Sequence, residues 1–145
     1  MVRQILSKKK LFFFLKYFFV VLLLATAIGK LLDNRGFAAV ILTYQLLPGW
    51  VTLPLGLVVS LFELFLALAI IFNRKLLICA WLVIIMHLGY LSLAIITLWR
   101  GIALENCGCF GVFLSRPMTL QTAFEDAVLL ILSFLFLLVF KNQRS

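Results

Sequence analysis

The sequence predicts an all-α integral membrane four-helix bundle, with a short interfacial helix between the first and second spans, on three observations. Of the 145 residues, 66% are hydrophobic and only 12% charged, with a mean hydropathy of +1.23. Four apolar runs each approach the roughly 20 residues that a helix needs to cross a bilayer. The basic residues gather at the ends of those runs. A soluble domain is about half apolar and a quarter charged, so this chain carries more apolar surface than a water-soluble core can hide. Lipid is its expected solvent.

The first span covers about residues 11–32, with Lys16 and Lys30 near its ends, where long stems can snorkel to the interface. The run KKKLFFFLKYFFVVLLLATA also has the basic start, apolar middle and small-residue Ala25-Thr26-Ala27 of a signal peptide. Its length and the interrupting Lys16 favour an uncleaved helix. Between residues 33 and 51, Phe37, Val40, Ile41, Tyr44 and Leu47 recur at helical spacing and end at Pro48-Gly49, too soon to span. This is the predicted amphipathic helix, lying at the outer interface or tucked under the loop that follows the third span. The second and third spans cover about 52–72 and 76–98. The fourth covers 122–140, opening on Thr122-Ala-Phe-Glu125, which reads as a capping box. Glu125 and Asp126 would there complement the positive end of the helix dipole. The whole is one membrane domain, 1–145, without a soluble domain or an obvious repeat.

A net charge of +8 would suit nucleic acid, but its placement encodes topology, and nucleic-acid binding is not expected. Arg3, Lys8, Lys9, Lys10, Lys16, Arg74, Lys75, Lys141 and Arg144 fall on one side; Lys30, Arg35, Arg100 and Arg116 fall on the other. The positive-inside rule then places both termini and the 73–75 turn in the cytoplasm of a bacterial inner-membrane protein. Residues 100–118 face outward.

That outer loop contains Glu105-Asn106-Cys107-Gly108-Cys109-Phe110-Gly111. Disulfides persist outside the cytoplasm. An i to i+2 bridge closes only with backbone strain, which Gly108 eases. A strained, exposed disulfide is easily reduced. It is also a poor staple, because so short a loop restrains little chain entropy. Arg100 and Arg116 flank the pair and would favour a thiolate if either guanidinium approached. Zinc usually takes four ligands, and the outer segments offer no histidine or further cysteine, so no metal is expected within one chain. From the residues, a redox dithiol stands somewhat above two inert thiols in a glycine-rich turn. Cys79 lies most of a bilayer away and reads as a packing residue.

Glu63 and His87 fall near the middle of the second and third spans, where ionisable groups face the bundle interior and find partners. Antiparallel neighbours would bring them to similar depth. A Glu63–His87 hydrogen bond would then serve as a proton relay, a quinone contact or polar glue between helices.

Four spans, the outward Cys-Gly-Cys-Phe-Gly and an acid in the second helix resemble the MauE/DoxX-like redox-associated membrane proteins. The resemblance runs through Ala27-Ile28-Gly29-Lys30-Leu31, Phe37, Tyr44-Gln45-Leu46-Leu47-Pro48, Pro54, Phe62-Glu63-Leu64 and the CGCFG stretch with Phe110 and Gly111, and covers most of the chain. It implies thiol–disulfide exchange outside the cytoplasm, with Cys107 and Cys109 as the reacting pair and a thioredoxin-like protein as partner. More distant DoxX-type relatives keep a quinone in play as electron acceptor. Quinone-coupled disulfide generators of the DsbB type carry two cysteine pairs, whereas this chain has one outer pair. The rival expectation is a non-catalytic scaffold or assembly subunit of a larger membrane complex. A small transporter built on Glu63 and His87 is the third.

Overall fold

A computed structural model describes the backbone of residues 2–144 and the side chains of residues 7–143. The side chains of Arg3 and Arg144, counted above among the charges, lie outside that range. The described residues form five helices and no strand: α1 (Val2–Leu32), α2 (Asn34–Thr43), α3 (Gly49–Ile71), α4 (Leu76–Trp99) and α5 (Leu120–Arg144). Four of them are long and apolar enough to cross a membrane, and α2 is the expected short helix between the first two.

Three helix starts differ from expectation, and α3 begins at Gly49, ahead of the expected 52. α1 begins well before residue 11, because Lys8, Lys9 and Lys10 are themselves good helix formers and extend the apolar segment backwards. α5 begins at Leu120. Thr119 takes the capping place, and its backbone N–H donates to Thr122 Oγ1 at 2.6 Å while Thr122 Oγ1 donates back to Thr119 O at 2.7 Å. The box expected at Thr122 and Glu125 therefore gives way to one centred three residues earlier. Glu125, a turn further in, pairs with Arg116 instead.

α1 packs against α3 and α5, and α4 packs against α5 and α3, so the four long helices close a ring with α1 and α4 diagonal. Lipid tails are as apolar as leucine, so such a bundle holds together by close packing and interhelical polar contacts. Phe136 stacks on Phe12 and lies tilted against Phe19, each at a centroid distance of 5.7 Å, in a cluster with Leu15, Leu23, Leu66, Ile70 and Val83. Ala27, Ala67 and Ala80 are fully buried where helices approach.

At one end of the bundle, Asn73 and Lys75 take positive φ in the tight turn from α3 to α4. Lys16, buried at 5% exposure, donates to Asn73 Oδ1 at 2.8 Å and fastens α1 to that turn. Cys79 lies at the same end and donates to Arg74 O. At the other end the 100–119 loop folds over α2. Of the two placements expected for the short helix, the one under the loop is found: Gly108 sits against Phe37 and Val40, and the Tyr44 hydroxyl donates to Cys107 O at 2.6 Å.

Candidate functional site

The CGCFG loop is organised by its own backbone. Cys107 N donates to Arg116 O at 2.7 Å and Met118 N to Leu104 O at 3.0 Å, pairing the two arms. Asn106 Oδ1 accepts from Gly108 N at 2.8 Å, and its amide donates to Gly111 O at 3.2 Å. Gly108 and Gly111 both have φ above +70°, a region that glycine enters without penalty. Gly111 and Phe110 then lie directly on Gly29 of α1. A Cβ on Gly111 would come 2.2 Å from Gly29 O, and one on Gly29 would come 2.4 Å from Phe110 O. Only two glycines allow backbone to meet backbone so closely.

This brings Cys107 and Cys109 together as free thiols with their sulfurs 2.7 Å apart. The Cys109 thiol donating to the Cys107 sulfur holds the Cys107 pKa down to about 7. Burial opposes that shift, while the Cys109 backbone N–H and Arg116 reinforce it. Cys109 is pushed up, first by the same hydrogen bond and then by burial. The pair is therefore asymmetric, with one acidic sulfur and one that keeps its proton. Burial also raises Tyr44 above the ordinary phenol range, so it remains a donor to the Cys107 carbonyl.

The flanking arginines behave differently from one another. Arg100 donates to Tyr44 O at 3.0 Å and to Gln45 O, anchoring the end of α2 away from the sulfurs. Arg116 pairs with Glu125 at 2.6 Å, and its charge reaches Cys107 only weakly.

Below the loop lies a polar cluster differing from the Glu63–His87 pair considered from sequence. Lys30 is 1% exposed, so its side chain turns into the bundle instead of snorkelling. Its Nζ lies 2.7 Å from Glu63 Oε1 and 3.0 Å from the Tyr90 hydroxyl, which also donates to Glu63 Oε1. One ion pair and one phenol thus tie α1, α3 and α4 together. His87 is buried but meets Val83 O at 2.9 Å and Ser133 Oγ at 3.1 Å. A lysine is the stronger donor for a buried carboxylate, and it outcompetes the imidazole.

A cavity of about 460 Å³ lies between α1, α4 and α5, and Cys109, Glu63, His87 and Tyr90 all line it. Asp126, 8% exposed, borders both this cavity and a second one that touches Cys107. Among the described residues no group of three or more His, Cys, Asp or Glu stands close enough to hold a metal.

A model of the family described as methylamine utilisation protein MauE matches residues 8–139. The chain belongs to that family. No curated protein and no solved structure matches it. It is a multi-pass membrane protein of MauE type, and the match spans all four apolar helices and the cysteine loop.

Sequence reasoning missed four contributors in this MauE-family chain: the roles of Lys30, Tyr90, Asn106 and Asp126. The signal for Lys30 was present in its charge opposite to Glu63. A lysine near a helix end reads equally well as an interfacial anchor, and only the packing decides. Asn106 sat inside the quoted motif, where an Asn two residues before a Gly is a turn former.

The asymmetry of the thiols is directly measurable. Alkylation of the reduced protein, followed by peptide mass spectrometry, is expected to modify Cys107 with a midpoint near pH 7. An ordinary cysteine titrates near about 8.5. Because the thiolate is the reacting form, the rate rises as pH passes that midpoint and levels off above it. Cys109 stays slow throughout. Equal rates with an ordinary midpoint at both positions would show that the sulfurs do not share a proton.

Proposed function

We propose that this MauE-family protein exchanges dithiol and disulfide with an extracytoplasmic thioredoxin-like partner, from the bacterial inner membrane. The carrying observation is the contact between two sulfurs of unequal acidity, held in a loop clamped onto α1. The charge distribution supports cytoplasmic termini and an outward-facing cysteine loop.

In the oxidised form a thiolate of the partner attacks Cys109 Sγ, and the Cys107 sulfur departs with the electron pair of the broken S–S bond. Two features favour this assignment. Cys109 is the more exposed of the two residues, and Cys107, the more acidic, is the better leaving group. The partner's second thiol then attacks the mixed disulfide, releasing oxidised partner and leaving Cys107 and Cys109 as the dithiol. Reduction of a partner disulfide is the same path in reverse.

The test is trapping in intact cells. Cys107→Ser leaves Cys109, no longer sharing a proton with a neighbouring sulfur, to attack the disulfide of the oxidised partner, and is expected to accumulate a reductant-sensitive adduct with an extracytoplasmic protein as the partner's other sulfur departs. Cys109→Ser is expected to trap at least tenfold less, and the double variant none. A membrane-impermeant maleimide should label the pair only after reduction. Absence of an adduct from both single variants, or labelling without prior reduction, would overturn the proposal.

A further inference from the structure

We infer that Asp126 carries the proton of the cysteine pair: its carboxylate takes the Cys109 proton as the S–S bond forms and returns it as the bond opens. This role rests on the dithiol reading above and adds to that exchange a residue from outside the cysteine loop.

Position comes first. Two cavities meet at the pair, one of about 460 Å³ between α1, α4 and α5, the other of about 180 Å³ between the loop, α2, α3 and α4. Three residues line both: Cys109, Tyr90 and Asp126. The Tyr90 hydroxyl is committed to Glu63. What remains on the shared wall is the thiol that keeps its proton and one carboxylate. After the thiol–thiol hydrogen bond and burial, the Asp126 charge is also felt at both sulfurs, where it opposes ionisation.

The carboxylate is also uncommitted. Asp126 is 8% exposed, yet among the described residues it accepts no hydrogen bond and joins no ion pair. Taking an unpaired carboxylate out of water is costly, and a residue that only filled space would be apolar. The helix dipole does not account for it either. Glu125, one residue earlier, meets Arg116 on the exposed side of α5 and already supplies negative charge near that end.

The other polar groups around the two cavities are engaged. Lys30 from α1 pairs with Glu63 from α3, and His87 from α4 meets Val83 O and Ser133 Oγ. Tyr44, at the end of α2, donates to the Cys107 carbonyl, and the loop's Arg116 is held by Glu125. Glu63 keeps one oxygen without a partner, but of the two cavities it lines the larger alone, and Lys30 balances its charge.

The reaction needs such a group. Once Cys107 is a thiolate, the reduced pair holds one proton, shared between the sulfurs, and the disulfide holds none. Closing the bridge forms the Cys107–Cys109 bond, breaks the S–S bond of the oxidant and sends two electrons to its departing sulfurs. One of those sulfurs ends with the proton. Whichever cysteine bonds first, the pair must shed that proton, and Asp126 holds it in between. Thiol and carboxylate are not hydrogen-bonded to one another, so a water between them carries the proton; the larger cavity has room for one.

The experiment uses the full chain, reduced, in lipid nanodiscs, with 2-hydroxyethyl disulfide as a neutral oxidant. Bridge closure is read by mass spectrometry, and alkylation of Cys107 is measured beside it. The two readouts separate the roles, because removing a neighbouring negative charge favours a thiolate. Asp126→Asn is expected to leave Cys107 alkylation at pH 7 as fast as before or faster, while closure slows at least tenfold. General acid–base groups typically contribute about 10²–10⁴-fold. Closure in Asp126→Asn should then climb by about tenfold per pH unit as hydroxide replaces the carboxylate. Wild type levels off above the Cys107 midpoint, and Asp126→Glu recovers part of the loss. Should Asn displace the loop, seen as an ordinary Cys107 midpoint, Asp126→Glu against Asp126→Gln makes the same comparison. Equal slowing of alkylation and closure would overturn the inference in favour of a structural role, and unchanged closure would overturn it outright. A wild-type pair that does not close on the probe overturns it too. The Cys107→Ser adduct then decides separately on the dithiol reading.

Discussion

Lys30→Met is expected to destabilise the bundle by about 3–5 kcal/mol, the cost of leaving one member of a buried ion pair without its partner. The pair is as buried as a pair can be. Lys30 Nζ and Glu63 Oε1 are 2.7 Å apart, and both side chains are 1% exposed. Without the ammonium, Glu63 keeps, among the described residues, the Tyr90 hydroxyl alone, at a depth where water cannot replace what was lost. Removing both charges reverses the sign of the argument. Lys30→Met with Glu63→Leu deletes two desolvated ions at once, and such replacements by packed apolar groups are often neutral or stabilising. The double variant should therefore recover most of the single variant's loss, measured as unfolding in mixed micelles. A cost below about 1 kcal/mol for the single change would place the pair among ordinary interhelical hydrogen bonds in membranes.

This pair also shows how far the sequence could be read. Span number and the short helix were legible because hydropathy and helical spacing depend on chain-local composition. The four apolar segments and α2 lie within a few residues of where those patterns put them. Helix starts were less legible, since two threonines three residues apart compete for one cap and only the loop's exit decides between them. The candidate sulfurs were legible as a pair because they are neighbours in the chain. Partnerships across helices were not. Glu63 was set against His87 alone, at similar depth, while Lys30 was read as an interfacial anchor. Lys30 wins because its flexible stem reaches inward from the last turn of α1, a distance that residue counting omits. The loop's position on α1 was invisible for a related reason. Gly29 lies in one motif and Gly111 in another, and nothing local announces that their backbones meet.

That meeting carries the second large effect. Gly111→Ala combines two penalties, a positive φ of 72° and a Cβ placed 2.2 Å from Gly29 O. The obstacle is backbone belonging to a packed helix, so no side chain can swing aside to relieve it. The loop must lift, and the contacts on which the thiols' acidity depends lift with it. Gly29→Ala drives the same separation from the helix side, with its Cβ 2.4 Å from Phe110 O. Each change is expected to move the Cys107 midpoint from near 7 toward an ordinary thiol and to slow its alkylation at pH 7 by roughly tenfold. Gly89 supplies the control: it lies within α4, and a Cβ there would meet nothing within 4 Å. Gly89→Ala should leave the thiols untouched and, by removing a helix-interior glycine, raise stability by up to about 1 kcal/mol. If Gly29→Ala and Gly111→Ala behave like Gly89→Ala, the loop is not held by α1. The acidity of Cys107 would then have to arise within the CGC turn alone.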